Sequence, residues 1–452
     1  MVVGGRPRQH VTHFYFILPK NRHCLTRQCL PPSPARPRSL PSSKSLLSPL
    51  SQADLHSDDP NHHLTGSFLP QTPLGSNTPV RASSPPYRAP VSPYLRWAVQ
   101  PASALKLLIL PLALFVNWQL LTPFVSPGVS NPFRNIFLLA GRVPGSSDAD
   151  PRYQKTYWDL VFISYYVIFW SFVRQSLSSR VFQPLARYWG LRKPAKVDRF
   201  CEQGYALVYF AVSGAWGYRV MSQLPTYWYS TDAFWIGYPH WDMISELKCY
   251  YLLQSAYWCQ QLIVLVLGLE KPRKDYYELV AHHVVTLWLV GWSYLINLTL
   301  IGNAVFMSMD IPDAFLAFSK LLNYIQWERA KVYSFVSFIG VWTYFRHYLN
   351  IVMLWSVWYE YDLTPETSRK WIWTQGTYLV SWMKYQVFVP LFLLHLINLF
   401  WYFLMLRILW RAYTTNVATD ERSDDEDDGE DEDDDQPTKQ NGTQNKESKK
   451  RK

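Results

Sequence analysis

The sequence predicts an all-α protein, a polytopic membrane helix bundle of about eight transmembrane helices with disordered cytosolic N- and C-terminal tails. Three observations predict it. Apolar stretches of about 20 residues, each long enough to span a bilayer, recur between residues 101 and 412. Basic residues gather in alternate loops between those stretches. Both ends of the chain lack the large apolar side chains needed to build a core. The mean hydropathy of −0.12 is that of a soluble protein only because it averages three unlike regions.

Residues 1–100 contain runs such as LPPSPARPRSLPSSKSLLS, in which proline prevents regular helix and little apolar surface offsets the entropy of ordering. Residues 1–53 hold arginines and serines but no acid, a composition shared with mitochondrial transit peptides; disorder is the simpler expectation. HFYFIL (13–18) is too short for a signal-peptide core. At the other end, residues 413–452 are polar, and 420–435 contain 13 acidic residues, a solvated and self-repelling extension. Ser423, followed by DDED, fits an acid-directed kinase site. The terminal KKRK matches the dilysine signal for retrieval to the endoplasmic reticulum, which requires a cytosolic C-terminus.

The spans follow in order, each with its loop. The first is about 104–124; its loop, 125–158, carries Arg134, Arg142, Arg152 and Lys155. The second, about 159–178, leads into a loop with Arg180, Arg187, Arg192, Lys193, Lys196 and Arg199. The third, about 203–222, precedes a loop whose single lysine lies at its end. After the fourth, about 249–269, come Lys271, Arg273 and Lys274. The fifth (about 279–297) and sixth (about 300–324) are joined by an uncharged turn, and Arg329 and Lys331 follow. The seventh, about 333–359, is interrupted by Arg346 and His347. Its loop carries Arg369 and Lys370, and the eighth, about 380–409, is long enough to tilt. The alternation, with 125–158 as its exception, puts both termini in the cytosol. The surplus of base beside spans, within a net charge of +10, meets anionic lipid; no nucleic-acid partner is expected. The sequon NLT (297–299) falls too close to the bilayer to serve as an acceptor.

His282 and His283 open the fifth span in LVAHHVVTLWL (279–289). The hairpin turn centres near Leu298, and residues 283 and 313 each lie 15 positions from it. His283 and Asp313 therefore share a depth, roughly 22 Å from the turn at 1.5 Å per residue. Asp310 and Asp313, spaced i, i+3, are expected on one helical face that continues to Lys320. A carboxylate near mid-bilayer costs about 2.5–3.5 kcal/mol, so both acids should face inward, toward the histidines or toward Arg346. A polar lock without chemistry is the competing account; two histidines and two aspartates near the cytosolic mouth favour a site.

Metal chemistry is not expected. The spans hold four histidines (His282, His283, His347, His395), about half of what a membrane di-iron enzyme needs, and adjacent histidines diverge by about 100° on a helix. The five cysteines are scattered. No serine elbow, phosphate loop or dinucleotide glycine run occurs.

The stretch HHVVTLWLVGWSYLINLTLIGNAVFMSMDIPDAFLAFSKLLNY (282–324) resembles the Lag motif of ceramide synthases, within the TLC-domain family, and most the fungal branch. KCYYLLQSAYWCQQLIVLVLGLEKPRKDYYELVAHH (248–283) fits the same pattern, and the resemblance covers about 100–412. The histidine pair, SY (293–294), the aspartate pair and SK (319–320) fall in order; LAFSK lacks the acid many members carry there. The resemblance implies transfer of an acyl group from fatty acyl-CoA to the amine of a sphingoid base, giving ceramide, with no cofactor beyond the acyl-CoA co-substrate. It implies catalytic roles for His282, His283, Asp310 and Asp313: either histidine serves as general base for direct attack by the amine, or a histidine, by the resemblance His282, first takes the acyl group. Arg346 and Lys320, with Arg192, Lys193, Arg273 and Lys274 at the cytosolic mouth, are the expected substrate-binding residues. It further implies an endoplasmic reticulum membrane location, a small single-span accessory subunit and a dimer, and a chain-length role for the loop at 361–378. The rival functions are a non-enzymatic lipid-sensing or translocon-associated protein of the same fold, and a transporter with a buried proton relay.

Overall fold

The computed structural model describes residues 92–125, 128–269 and 275–415. Lys271, Arg273, Lys274, Ser423, the dilysine and most of both polar tails lie outside the described residues.

Eight long helical rods fall on the eight expected apolar stretches. They are α1 (Pro101–Val125), α2 (Trp158–Leu177), α3 (Pro194–Met221), α4 (Ser245–Val266), α5 (Tyr276–Leu295) and α6 (Thr299–Tyr324). α7 runs from Glu328–Trp342 through a π-helical stretch, Thr343–Tyr348, into Leu349–Tyr359, and α8 is Met383–Thr415. The interruption foreseen at Arg346 and His347 is thus a widened turn inside a continuous rod. α6 likewise runs unbroken through Pro312. The 3₁₀ helix Pro93–Ala98 lies inside the stretch expected to be disordered. It is ordered because Ala98 is buried and Gln175 donates a hydrogen bond to the Trp97 carbonyl at 3.1 Å.

Four rods, α1, α2, α6 and α8, are long and apolar enough to cross a membrane. The other four are diluted by polar groups that point into the bundle, among them Ser213 on α3, Lys248, Gln254 and Gln260 on α4, His282 and His283 on α5, and Arg346 on α7. Around the core α3, α4, α5, α8, α7 and α6 each pack on the next and the ring closes from α6 back to α3; α2 packs on α4, and α1 on α2. Close approach is set by glycine, which lets helix backbones and rings meet. A Cβ at Gly217 of α3 would stand 2.6 Å from the Tyr250 hydroxyl of α4, and one at Gly302 of α6 would fall on the Tyr251 ring.

Two loops close the end that carries the α5–α6 turn. Tyr238 donates its hydroxyl to the Ile296 carbonyl (2.7 Å) and accepts from the Tyr378 amide (3.2 Å). Ser368 donates to the Tyr238 carbonyl at 2.9 Å. Asn297, in the left-handed region at φ 64°, donates to the Gly376 carbonyl at 2.8 Å. Asn297 is 2% exposed, so the amide of the sequon is turned inward and held.

The loop that broke the charge alternation explains itself here. Arg142 pairs with Asp148, and Arg152 with Asp150 at 2.6 Å. Lys155 donates to the carbonyls of Tyr294 (3.1 Å) and Leu295 (2.7 Å), where the α5 dipole favours a cation. Lys155 is thus engaged inside the fold and carries little topological information, while Arg142 and Arg152 remain in exposed pairs. Beside them Lys248 pairs with Asp159 at 2.8 Å, both side chains buried, and Tyr294 donates to the same carboxylate at 2.8 Å.

Burial pushes the Lys155 ammonium down to about 8, against 10.5 for an ordinary lysine, with Asp159 opposing the shift. The unfolded chain then binds more protons than the folded one between those values, so this residue makes stability rise with pH across that window. Thermal midpoints in detergent from pH 8 to 10 should rise less, or fall more, for Lys155→Met than for the native chain. Parallel curves would refute this.

Candidate active site

The histidine pair lies near the start of α5, and each ring is 7% exposed. His283 has its Nδ1 2.8 Å from the Leu279 carbonyl one turn earlier. A carbonyl only accepts, so Nδ1 carries the proton and Nε2 keeps its lone pair. Trp258 of α4 packs against both rings, with centroids 5.7 Å from His282 and 5.8 Å from His283. Trp401 of α8 packs on His282 at 5.3 Å, and its indole N–H donates to Asp275 at 3.2 Å.

The two aspartates part company. Asp313 pairs with Arg346 at 2.6 Å. Asp310 turns toward α4, where Gln254 and Tyr250 both meet its Oδ2, Tyr250 at 3.5 Å. Three residues advance a helix by about 300°, leaving the side chains some 60° apart, enough to serve different neighbours. This corrects the expectation that both acids share one face with the histidines. Gln254 is itself held by Tyr209, which donates to its Oε1 at 2.6 Å.

Arg346 is a buried charge held from several sides. Its Nη1 donates to Asn398 of α8 (2.9 Å), its Nη2 to the Met309 carbonyl of α6 (3.0 Å), and its guanidinium lies 4.1 Å over the Trp342 ring. The π-helical turn delivers it to α6 and α8 at once.

One cavity of about 650 Å³ gathers these groups at the end of the bundle opposite the α5–α6 turn. His282, His283, Asp313, Arg346 and Lys320 line it; Asp310 does not. Arg199, Glu202, Gln203 and Gln261 add polar lining, and Arg199 pairs with Glu202 at 2.9 Å. Arg192 is exposed and Lys193 partly buried at the head of α3, and neither reaches the cavity wall. Arg273, Lys274 and Ser423 are outside the described residues. Among the described residues no group of three or more His, Cys, Asp and Glu side chains stands close enough to hold a metal ion. A smaller apolar space of about 50 Å³ lies nearer the α5–α6 turn, lined among others by Val290, Ile301, Val305 and Leu391.

Comparison with known proteins bears on this arrangement. Residues 199–407 match the family model described as TLC domain. The chain is 40% identical over 322 residues to sphingosine N-acyltransferase lac1 of Schizosaccharomyces pombe, covering 69% of this chain and 78% of that protein. The chain belongs to the sphingosine N-acyltransferase, or ceramide synthase, family. It is also 37% identical over 302 residues to ceramide synthase LAG1 of Saccharomyces cerevisiae, covering 65% of this chain and 70% of that one. With ceramide synthase 4 of Bos taurus it shares 28% identity over 215 residues, 47% of this chain and 51% of the other. The family-model match begins at Arg199, the arginine at the cavity wall, and takes in every cavity residue named above.

Trp258, Trp401, Asn398, Gln254 and Arg199 were not singled out from the sequence. Trp258, Gln254 and Asn398 look like ordinary members of greasy helices, and Arg199 like one more loop charge. A polar amide in an apolar helix was the available signal for Asn398 and Gln254.

Proposed function

We propose that this protein is a sphingosine N-acyltransferase that joins a fatty acyl group to the amine of a sphingoid base and so forms ceramide. The observation that carries the reading is the convergence of His282, His283, Asp313 and Arg346, from three helices, on one cavity. Fatty acyl-CoA is the donor that suits such a site, because a thioester is already activated and the reaction then needs a base rather than ATP. The base is His283. Its Nε2 takes one proton from the sphingoid ammonium and passes it to solvent; the freed amine attacks the thioester carbon, Nε2 takes the second proton from the attacking nitrogen, the C–S bond breaks, and the imidazolium gives that proton to the departing thiolate. In a second route using the same atoms, His282 attacks the thioester first, releases the thiol, and holds the acyl group as an acyl-imidazole until the amine cleaves it. Asp313 supplies the anionic group that the substrate ammonium meets on the cavity wall. Asp310 acts from behind, through the packing of α6.

The cavity mouth, where Arg199 and Lys320 line the wall, is the place for the polyanionic CoA, and the basic residues Arg192, Lys193, Arg273 and Lys274 are proposed from the sequence alone to draw it there. The alkyl tail extends between α5, α6 and α8 toward the small apolar space. This orientation puts the mouth and both termini in the cytosol, all eight rods across the endoplasmic reticulum membrane, and the polar tails in solution. A single-span accessory subunit and a second copy of the chain are the partners proposed for the lipid-facing surface.

The deciding assay is purified protein with a sphingoid base, acyl-CoA and mass-spectrometric detection of ceramide. Ceramide formation is expected; its absence from folded protein would sink the reading. Protein mixed with acyl-CoA alone and quenched rapidly should show an acylated histidine if His282 carries the acyl group. Product formation without that adduct would leave direct transfer.

The loop at 361–378 meets the α5–α6 turn through the Gly376 carbonyl and the α3–α4 loop through Ser368, which donates to the Tyr238 carbonyl. Exchanging it for a relative's loop should change the acyl lengths found in the product while turnover persists. An unchanged product profile would count against the tail pointing this way.

A further inference from the structure

α8 enters the site by side chains that no motif marks. Asn398 and Trp401 stand i, i+3 on this helix, on neighbouring faces of successive turns. Asn398 is wholly buried; its Oδ1 accepts from Arg346 Nη1 at 2.9 Å, and its Nδ2 reaches the Met309 sulfur at 3.7 Å. Met309 in turn offers its carbonyl to Arg346 Nη2 at 3.0 Å. The guanidinium is thus fixed by three neighbours, Asn398 on α8 and Met309 and Asp313 on α6. One turn further, Trp401 packs edge to face on His282 at 5.3 Å, and its indole N–H is tied to Asp275 at 3.2 Å. Asp275 is the residue before α5 begins, so this bond fastens α8 to the base of the helix that bears both histidines. The His282 ring is also packed by Trp258. Its Nδ1 is buried without a hydrogen-bond partner, so ring packing is what sets its orientation.

We infer that Asn398 and Trp401 are positioning residues: α8 is a template that aims the Arg346 guanidinium and the His282 imidazole at the same cavity. The inference rests on the acyl-transfer reading above. Asn398 acts on Arg346, and Trp401 acts on His282; neither is required to touch the reacting atoms. A misplacement of about 1 Å at either group is enough to cost on the order of a hundredfold in rate.

The test compares Asn398→Leu, Asn398→Asp, Trp401→Leu and Trp401→Phe with the native full-length chain in detergent. Leucine at either position should lower kcat by roughly tenfold to a hundredfold and leave KM for acyl-CoA nearly unchanged, the pattern of lost transition-state geometry. Trp401→Phe keeps the ring contact and loses the Asp275 bond, so it should fall between Trp401→Leu and native. Asn398→Asp keeps an acceptor for Arg346 and should recover most of what Asn398→Leu loses. The pH profile of kcat/KM should move for the Trp401 variants and stay put for Asn398→Leu, because Trp401 packs on an imidazole whereas Asn398 bonds a guanidinium. If the leucine variants fail to fold, Trp401→Phe carries the decision by its kcat and its pH profile. Folded variants with native kcat and a native pH profile overturn the inference alone. A native chain that makes no ceramide overturns both this inference and the acyl-transfer reading.

Discussion

Replacing His283 with alanine lowers the rate of ceramide formation by about 10²–10⁴-fold, the usual contribution of a positioned general base. The expectation rests on one hydrogen bond. With Nδ1 donating to the Leu279 carbonyl, the ring has a single available tautomer and its basic nitrogen is Nε2. The loss should appear in kcat, with little change in KM, because the ring handles a proton that moves only in the transition state. Removing the ring leaves the Leu279 carbonyl inside its own helix, so folding should be preserved, and a thermal midpoint close to native would verify that. His282→Ala should be as damaging if an acyl-imidazole forms, and should abolish the adduct trapped with acyl-CoA alone. If His283→Ala turns over at the native rate, the base lies elsewhere and the proposed chemistry fails.

The legible part of this protein was whatever depends on hydrophobic period and hairpin symmetry. Helices long enough to bury or span announce themselves as apolar stretches, and all eight rods lie where those stretches lie. Equal distance from Leu298 was enough to bring His283 and Asp313 to one cavity, because an antiparallel hairpin fixes relative depth without any knowledge of side-chain contacts. What spacing cannot give is rotation about the helix axis relative to a third helix. Asp310 illustrates this: its depth was right, but its azimuth faces Gln254 of α4, and only the packing of α4 decides that. Arg346 shows the same limit from the other side. Its presence in an apolar helix demanded a partner, and two acids and two histidines all qualified; the π-helical turn chose Asp313. The basic residues of 125–158 stood outside the alternation for a related reason. A charge count treats every lysine as exposed, whereas Lys155 is bound to carbonyls inside the fold.

Breaking the Asp313–Arg346 pair by Asp313→Leu should destabilise the protein by about 3–5 kcal/mol, the penalty for leaving one buried charge without its partner. The pair meets the condition for a large effect: the Arg346 side chain is 2% exposed and that of Asp313 17%. Asn398 and the Met309 carbonyl would still solvate the guanidinium, but neither carries charge. Arg346→Met should cost a similar amount by stranding the carboxylate. Combining the two changes the sign of the argument. Asp313→Leu with Arg346→Met removes both charges and leaves apolar side chains of similar volume, so stability should return to within a kcal/mol or two of native, as buried pairs often do. Thermal midpoints of the four proteins in the same detergent measure this as a double-mutant cycle. Activity then separates a lock from a site. A pair that only ties α6 to α7 predicts that the double variant recovers turnover along with stability. A pair that presents a carboxylate to the substrate ammonium predicts a stable, folded and inactive double variant, and that second outcome is the one expected here.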